Sequence, residues 1–467
     1  MARKLPLLDV TGQDIADGIH DIATALGGSE TLSFKRIQRY IRAGVIDKYL
    51  AIGDEVSVEK ETGVSVSSSN QNLTVSIVES TWNEAIETMH SGTFAFSYDG
   101  YGWTNSELGG EYLDLSHYGI TVSGTPSSGD VISVVVTTDT LTFVYVAKNK
   151  QTMRNSALAN SCTFQLKNIY RTLQFAQAQA LIYVSTALTA GTTYQIYLHK
   201  PSNIYYLNAG LQNKYLNFTP SVAVPVGGQL VISTGDMRNS TSVGDLKLTS
   251  YSTKGGTTVL ESGITCSEGS EGDGGTSLGY ANYASNNTIV NSTDRTLYGS
   301  NNWEYSALRQ WLNSKDEAGV WWSPKGNFDR SPSQASASGW MRGISKDFLD
   351  VLQEVETPTT QNWFDGGTTK KTYDKFFVPS LSQVYMSSSE TEGENWDYYV
   401  DFSDLSSAGT GADSNRIKTL NGNATYWWLR TPYGSNSTLE YIVSPAGASS
   451  YYYAYNSYGV APACVIA

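Results

Sequence analysis

LEYIVSPAGASSYYYAYNSYGVAPACVIA, residues 439–467, decides how the fold is read. Its first piece, LEYIVSPAG, reads as a strand running into a Pro–Ala–Gly turn. Its last piece, GVAPACVIA, reads as a buried apolar strand. Between them, SSYYYAYNSY (449–458) holds five Tyr, three Ser, one Asn and one Ala. Successive side chains of a strand point to opposite faces. Tyr451, Tyr452 and Tyr453 therefore cannot all enter one core, and some of them are expected in solvent. Tyr offers a large amphipathic surface with few rotors to freeze, and Ser and Asn add small, adaptable hydrogen-bonding groups. The composition points to a recognition surface. A β-hairpin with cross-strand Tyr pairs is the structural alternative.

The region before this stretch adds two predicted helices. YSALRQWLNS (305–314) turns Leu308, Trp311 and Leu312 inward, and SKDFLDVLQEVE (345–356), capped by Ser345, uses Phe348, Leu352 and Val355. DKFFVPSL (374–381) and YWWLRTP (426–432) read as buried strands or strand–turn pieces. Together these predict an α+β domain: a few helices on a small twisted antiparallel sheet with long loops. Further upstream, 11–26 and 33–44 read as short helices, the first capped by Thr11 and the second turning Phe34, Ile37 and Ile41 inward. From residue 56 the pattern alternates. LTVSIV, TFAFSYDG, DVISVVVT and LTFVYVA read as separate strands of an antiparallel, Ig-like or sandwich module. The expected division is 1–55 for attachment or oligomerisation, 56–150 for the β module, 151–275 as a further β-rich region, and 276–467 for the α+β domain. The region 151–275 either stands alone or joins the last domain. The acidic, glycine-rich CSEGSEGDGGTS (266–277) reads as a linker or exposed loop.

Composition narrows the function. The 467 residues carry a net charge of −13, and no cluster of Lys and Arg is suited to neutralising phosphates. Lys35, Arg36, Arg39 and Arg42 read as the solvated face of one helix, so no nucleic-acid partner is expected. Cys162, Cys266 and Cys464 are far apart, with no CxxC pair, and predict neither a zinc site nor a disulfide framework. The first residues lack the apolar core of a signal peptide, and no run is long enough to span a bilayer. A soluble protein made in a cytoplasm, with no membrane insertion, is expected. The four histidines are His20, His90, His117 and His199, so a Ser–His–Asp triad within the last domain is excluded. There is no GxSxG, HExxH, Walker loop or EF-hand spacing. Glu390, Glu392 and Glu394 offer the carboxylate pairs a glycosidase needs, but their polar setting reads as a solvated loop. Trp321–Trp322, Trp427–Trp428 and Trp303 with Trp311 invite a sugar-stacking reading. Apolar neighbours favour core packing around YWWLRTP. No catalytic residue, metal or cofactor is predicted.

GSNNWEYSALRQWLNS, WWSPKGNFDRSP, GWMRGISKDFLDVLQEVE, DKFFVPSLSQVY, YWWLRTP and YGVAPACVIA, in this order, resemble the C-terminal C-type-lectin-like domain of phage and prophage variable proteins. In these, the last part of the domain is diversified by a retroelement. The resemblance covers roughly 276–467. GTFAFSYDGYGWTNSELGGEYLDLSHYGITVSGTPSSGDVISVVV is similar to a β module of phage tail and fibre proteins, and RAGVIDKYLAIGDEV to a segment near the start of such proteins. The resemblance implies that template adenines, mostly in AAC or AAT codons, are mutated, and all ten residues of SSYYYAYNSY lie in the set those codons reach. Glu440 lies outside that set and is expected, with Leu439, Ile442, Val443 and Gly447, to be fixed scaffold. The resemblance further assigns Trp428, Leu429, Arg430, Pro432, Gly459, Val460, Pro462, Ala463 and Cys464 to the scaffold. Ala461 stands where the wider domain family commonly has Arg. The exposed, diversified face within about 426–467 would comprise Tyr433, Ser435, Asn436, Ser437, Tyr441, Ser444, Ser449, Ser450, Tyr451, Tyr452, Tyr453, Tyr455, Asn456 and Tyr458. The triplets of calcium-dependent sugar lectins and the cysteine pair of formylglycine-generating enzymes are missing from this domain. The implied role is host attachment on the virion, as a homo-oligomer such as a trimer. The partners would be a protein or glycan receptor on the host and other tail proteins. A tail-spike carbohydrate hydrolase and a non-enzymatic decoration protein are the competing readings.

Overall fold

DVISVVVT and LTFVYVA, read above as two strands, are the two halves of one: Val131–Lys148, 18 residues long. The intervening TTDT stays extended because Glu55–Ser68 pairs along it in antiparallel register, Lys60 opposite Asp139 and Glu59 opposite Thr140. The Glu59 carboxylate accepts from the Thr138 and Thr140 hydroxyls at 2.6 and 2.8 Å. Hydroxyl–carboxylate pairing thus replaces the turn that Thr and Asp suggested. The two halves differ in burial, as their sequences require. Ile132, Val134 and Val136 are buried on one face while Val135 is exposed; Phe143 to Ala147 are all buried. One-sided burial reads as alternation and two-sided burial as an unbroken apolar run.

The computed structural model describes residues 33–109, 112–199, 207–273, 275–280, 292–387, 391–399 and 414–467. The predicted helix at 11–26, His20 and Glu390 lie outside them. The architecture is mostly β, in several sheets with short helices. The first sheet runs in the order Phe376–Phe377, Ala463–Ile466, Cys162–Leu166, Val131–Lys148, Gly92–Tyr98, Trp103–Thr104, with Glu55–Ser68 on the long strand. It crosses the boundary expected near 150. One core, around Trp82, Phe94, Phe96 and Val134, lies under the first half of the long strand. A larger one takes in Phe143 to Ala147 together with Trp303, Trp311, Trp340, Trp427 and Trp428.

A second seven-stranded sheet, from Ile182–Tyr183 to Thr276–Tyr280, has its own core. Here the expectation of a linker at 266–277 is corrected. Cys266 to Gly269 finish the strand Val259–Gly269, with Cys266 buried opposite Phe218, and Thr276–Tyr280 pairs parallel to Tyr194–Leu198. Between the two strands, Glu271 and Gly272 form an exposed turn, as the loop alternative had it.

The helix Phe34–Arg42 docks on Lys346–Val351, where the Phe34 and Phe348 rings lie 4.8 Å apart. Gln38 Nε2 and Arg42 Nε donate to the Ala467 carbonyl at 3.0 and 3.2 Å. The helix expected over 345–356 is only six residues. Val355 opens the strand Val355–Thr360, because Val, Thr and Pro in VETPTT favour extended backbone over helix. Ser345 stands at the N-cap but makes no capping bond; its hydroxyl is engaged with the Asp347 carboxylate. Among the described residues no helix is long and apolar enough to cross a membrane.

Residues 56–150 expressed alone should not unfold cooperatively, since Phe143 to Ala147 would lose their packing partners. Chemical denaturation followed by near-UV circular dichroism checks this. A sharp transition would show that 150 is a true domain boundary.

Candidate functional site

The sheet that carries the Tyr-rich run has five strands, in the order Ser449–Tyr453, Leu439–Val443, Trp427–Pro432, Ser457–Val460, Arg171–Gln174. It is mixed, not antiparallel as expected: Trp427 pairs in parallel with Gly459. The Tyr-rich strand is its edge. The hairpin to it closes at Ser444 and Gly447, where Gly447 has φ +76° and the Ser444 hydroxyl accepts from the Ala448 N–H at 3.2 Å.

Beneath the edge, the scaffold residues are immobilised. Trp428 Nε1 donates to the Leu173 carbonyl at 2.8 Å, and Trp427 Nε1 to the Arg416 carbonyl at 3.0 Å. Arg430 is fully buried and donates to the Val378 and Glu392 carbonyls and to Gln383 Oε1, at 3.0, 2.5 and 2.6 Å. A Cβ on Gly459 would come within 2.6 Å of Ile169 and 2.8 Å of the Tyr426 carbonyl, so only Gly fits. Leu429, Pro432, Val460, Pro462, Ala463 and Cys464 are all buried, as are Leu439, Glu440, Ile442, Val443 and Gly447.

The candidate binding residues do not form one face. Tyr451 and Tyr452 are exposed, 47% and 37%, but the pleat sends them to opposite sides of the sheet. Tyr451 clusters with Tyr433 and Tyr441, at 4.6 and 6.2 Å between ring centroids. Tyr452 clusters with Tyr426 and Tyr458, at 5.7 and 5.1 Å. Burial raises the phenol pKa of both Tyr441 and Tyr458. Ser435 and Ser449 are exposed, and Ser450 and Asn456 half-buried.

Several assignments need correction. Ser437 is buried, and its carbonyl accepts from Arg295 Nε at 3.3 Å and from the Asn301 N–H at 3.1 Å. The Asn436 side chain serves its own turn, accepting from the Thr438 and Leu439 N–H groups at 2.7 and 3.2 Å. Ser444 closes the hairpin. Tyr453 stacks on Tyr298 at 3.9 Å, and Tyr453 and Tyr455 pack against the core of the second sheet. These two join bodies of the molecule. Their partner lies more than a hundred residues earlier, beyond the reach of any local pattern. Reading Glu392 as part of a solvated loop is also corrected. It is buried, accepting from the Thr360 N–H at 2.7 Å and from the Thr431 hydroxyl. Glu394 pairs with Lys150 at 3.2 Å.

Sequence reasoning passed over Trp363. It is 72% exposed, and its N–H donates to the Gly434 carbonyl at 2.8 Å, beside Ser435. The signal was present: a Trp in the polar, turn-rich QNWFDGG (361–367) has no apolar stripe to join. Among the described residues no group of three or more His, Cys, Asp and Glu is placed to hold a metal ion. The cysteines are buried and free.

Two buried carboxylates lack hydrogen-bond partners, Glu440 and Asp294. Burial, helped by the repulsion of Glu392 and opposed by Arg430, pushes Glu440 well above the usual carboxylate range. Burial alone pushes Asp294 up to about 7.

Residues 280–467 match the family described as a domain of unknown function (DUF6273). No curated protein and no solved structure matches the chain.

Tyr453→Ala and Tyr455→Ala should each lower the unfolding free energy by about 1–3 kcal/mol, because each empties part of a packed junction. Tyr451→Ala and Tyr452→Ala should change it by less than about 1 kcal/mol. Urea denaturation separates the two pairs.

Acids with raised folded pKa values stabilise most below their unfolded values and lose that contribution as pH rises. Wild-type stability should therefore fall as pH rises from 4.5 toward neutral, by up to about 1.4 kcal/mol per pH unit for each acid. Glu440→Gln and Asp294→Asn should each flatten part of that slope, so that their advantage over wild type grows with pH. Parallel slopes in variant and wild type would contradict the burial of the acids.

Proposed function

We propose that this chain is a non-enzymatic binding protein of a phage or prophage virion. Its last domain, read as C-type-lectin-like, presents diversified side chains to a receptor on the host surface. The observation that carries the reading is the contrast along one hairpin. On the edge strand Tyr451 and Tyr452 reach solvent, while the paired strand beneath them buries Leu439, Glu440, Ile442 and Val443. A surface that must change without unfolding its support needs this separation. Ser435, Ser449 and Trp363 enlarge the exposed polar and aromatic area. The refined binding set is Tyr433, Ser435, Tyr441, Ser449, Ser450, Tyr451, Tyr452 and Tyr458, on two flanks of one edge. Contacts from several copies in a homo-oligomer would add avidity to weak individual contacts. The N-terminal segments and β module would join other virion proteins.

The burial of Glu392 and the ion pair of Glu394 speak against a glycosidase built on that loop. The open edge itself favours a second reading: a neighbouring subunit could pair with it, as sheet edges do when uncovered.

The test is binding to bacterial envelope fractions from a panel of strains. A library randomised at Ser435, Ser449, Tyr451 and Tyr452 should stay folded and yield different winners on different envelopes. The Y451A/Y452A double variant should lose about tenfold or more of any wild-type envelope binding, as expected for hot-spot aromatics, at an unchanged denaturation midpoint. Undiminished binding by the double variant removes the recognition role. Dissociation of the oligomer in its place supports the subunit-pairing reading. Sequencing the surrounding DNA for an adenine-substituted near-copy of the stretch encoding 426–467 tests diversification separately.

A further inference from the structure

A cavity of about 300 Å³ opens where residues 176–179, the residues following the helix Ser292–Tyr298 and the loop 322–330 meet. Its charged lining is Arg295, Lys325, Arg330, Asp329 and Asp365. That is one surplus positive charge, in a chain of net charge −13.

The two carboxylates are already engaged. Asp329 Oδ2 accepts from the N–H groups of Lys325 and Gly326 at 2.9 and 2.5 Å, and its Oδ1 from Gln179 Nε2 at 3.0 Å. Asp365 Oδ2 accepts from Arg295 Nη2 at 2.6 Å and from Asn362 Nδ2 at 2.7 Å. These bonds fix the loop and hold Arg295 in place.

The remaining cations have only neutral partners. Lys325 Nζ donates to the Ser323 hydroxyl at 2.9 Å. Arg330 donates to Gln229 Oε1 at 3.1 Å and stacks on the Tyr251 ring at 3.6 Å. Among the described residues no carboxylate forms an ion pair with either. Arg330 is half-buried, and a guanidinium held by a ring and an amide is pre-aimed for planar, two-point recognition of an anion.

The apolar part of the lining is aromatic. Trp322 presses over Gly255, where a Cβ would come within 2.5 Å of its ring, so the indole is held by backbone. Tyr305, 51% exposed, adds a second ring to the lining. The volume sits at the lower end of ligand pockets, about 300–1,000 Å³.

We propose that this cavity binds a small single-ring organic anion, its carboxylate held by Arg330 and Lys325 and its ring face against Trp322 and Tyr305. The lining shares no residue with the proposed binding set, and the proposal does not depend on the function proposed for that set.

The experiment is calorimetric and saturation-transfer titration of the full chain with benzoate, glucuronate and galacturonate. Glucose, methyl benzoate and inorganic phosphate serve as comparisons. At least one carboxylate should bind saturably, and its uncharged counterpart should not. Lys325→Gln, at an exposed position, and Arg330→Gln should each weaken binding about tenfold or more; if Arg330→Gln fails to fold, Lys325→Gln and Trp322→Ala carry the test. Binding of no carboxylate in the panel overturns the proposal, as does binding unaffected by Lys325→Gln. Phosphate binding as tightly as the carboxylates overturns the ring-bearing class and leaves a simple anion site.

Discussion

Ala463–Ile466, the strand that follows the Tyr-rich run, lies inside a sheet, between Cys162–Leu166 and Phe376–Phe377. Every residue from Val460 to Ala467 is buried. Its partner Cys162–Leu166 pairs on its other side with the long strand Val131–Lys148, which in turn carries the β module. The carbonyl of Ala467 receives the helix Phe34–Arg42. The insertion of this strand also sets the geometry of the preceding residues. Ser457–Val460 must enter the sheet core, so the chain before it can be free only in the hairpin on the far side of Trp427–Pro432.

That constraint explains why the tyrosines divide as they do. Tyr458 is drawn inward by its own strand, where its ring meets Trp428 at 5.1 Å. The bend at 453–456 is pinned from several directions: the Ala454 N–H donates to Thr438, the Ala454 carbonyl accepts from Ala176, and the Tyr455 N–H donates to Tyr298. Only the stretch before the bend, around Tyr451 and Tyr452, has solvent on both sides. A run uniform in composition is thus shared between a junction and a surface, and composition alone has no means of dividing it.

Periodicity was legible where one environment surrounds a segment. GVAPACVIA, YWWLRTP and the two halves of the long strand carry their burial in their residue types. Ser345 marked the start of a helix, although its hydroxyl makes no capping bond there. The reading failed where a distant partner overrides local chemistry. TTDT looks like a turn until Glu59 supplies the acceptor that keeps it extended. Glu392 looks solvated until Thr360 and Thr431 close over it, with Arg430 holding its carbonyl. The acidic 266–277 looks like a linker until Phe218 and Tyr194 are known to lie beside its ends. Ser437 and Asn436 were chosen for their type, yet the Asn436 side chain builds its own turn, and the Ser437 carbonyl receives Arg295 and Asn301. Apart from the local turn of Asn436, the missing information was a tertiary pairing across tens or hundreds of residues.

The same dependence bears on which positions can change. Tyr451 and Tyr452 on the edge strand touch solvent and their immediate neighbours, so replacing them alters little beneath. Glu440 differs although Tyr452 sits directly across from it. Its carboxyl is enclosed without a partner near Arg430, whose guanidinium already gathers the backbones of Val378 and Glu392. A side chain of another size would disturb the volume that this buried arrangement was packed around. Two residues facing one another on adjacent strands therefore have opposite surroundings, one open to solvent and one enclosed. The boundary between them is the line along which solvent meets the sheet. The recognition surface proposed above requires that line to fall between neighbouring strands, as it does between Leu439–Val443 and Ser449–Tyr453.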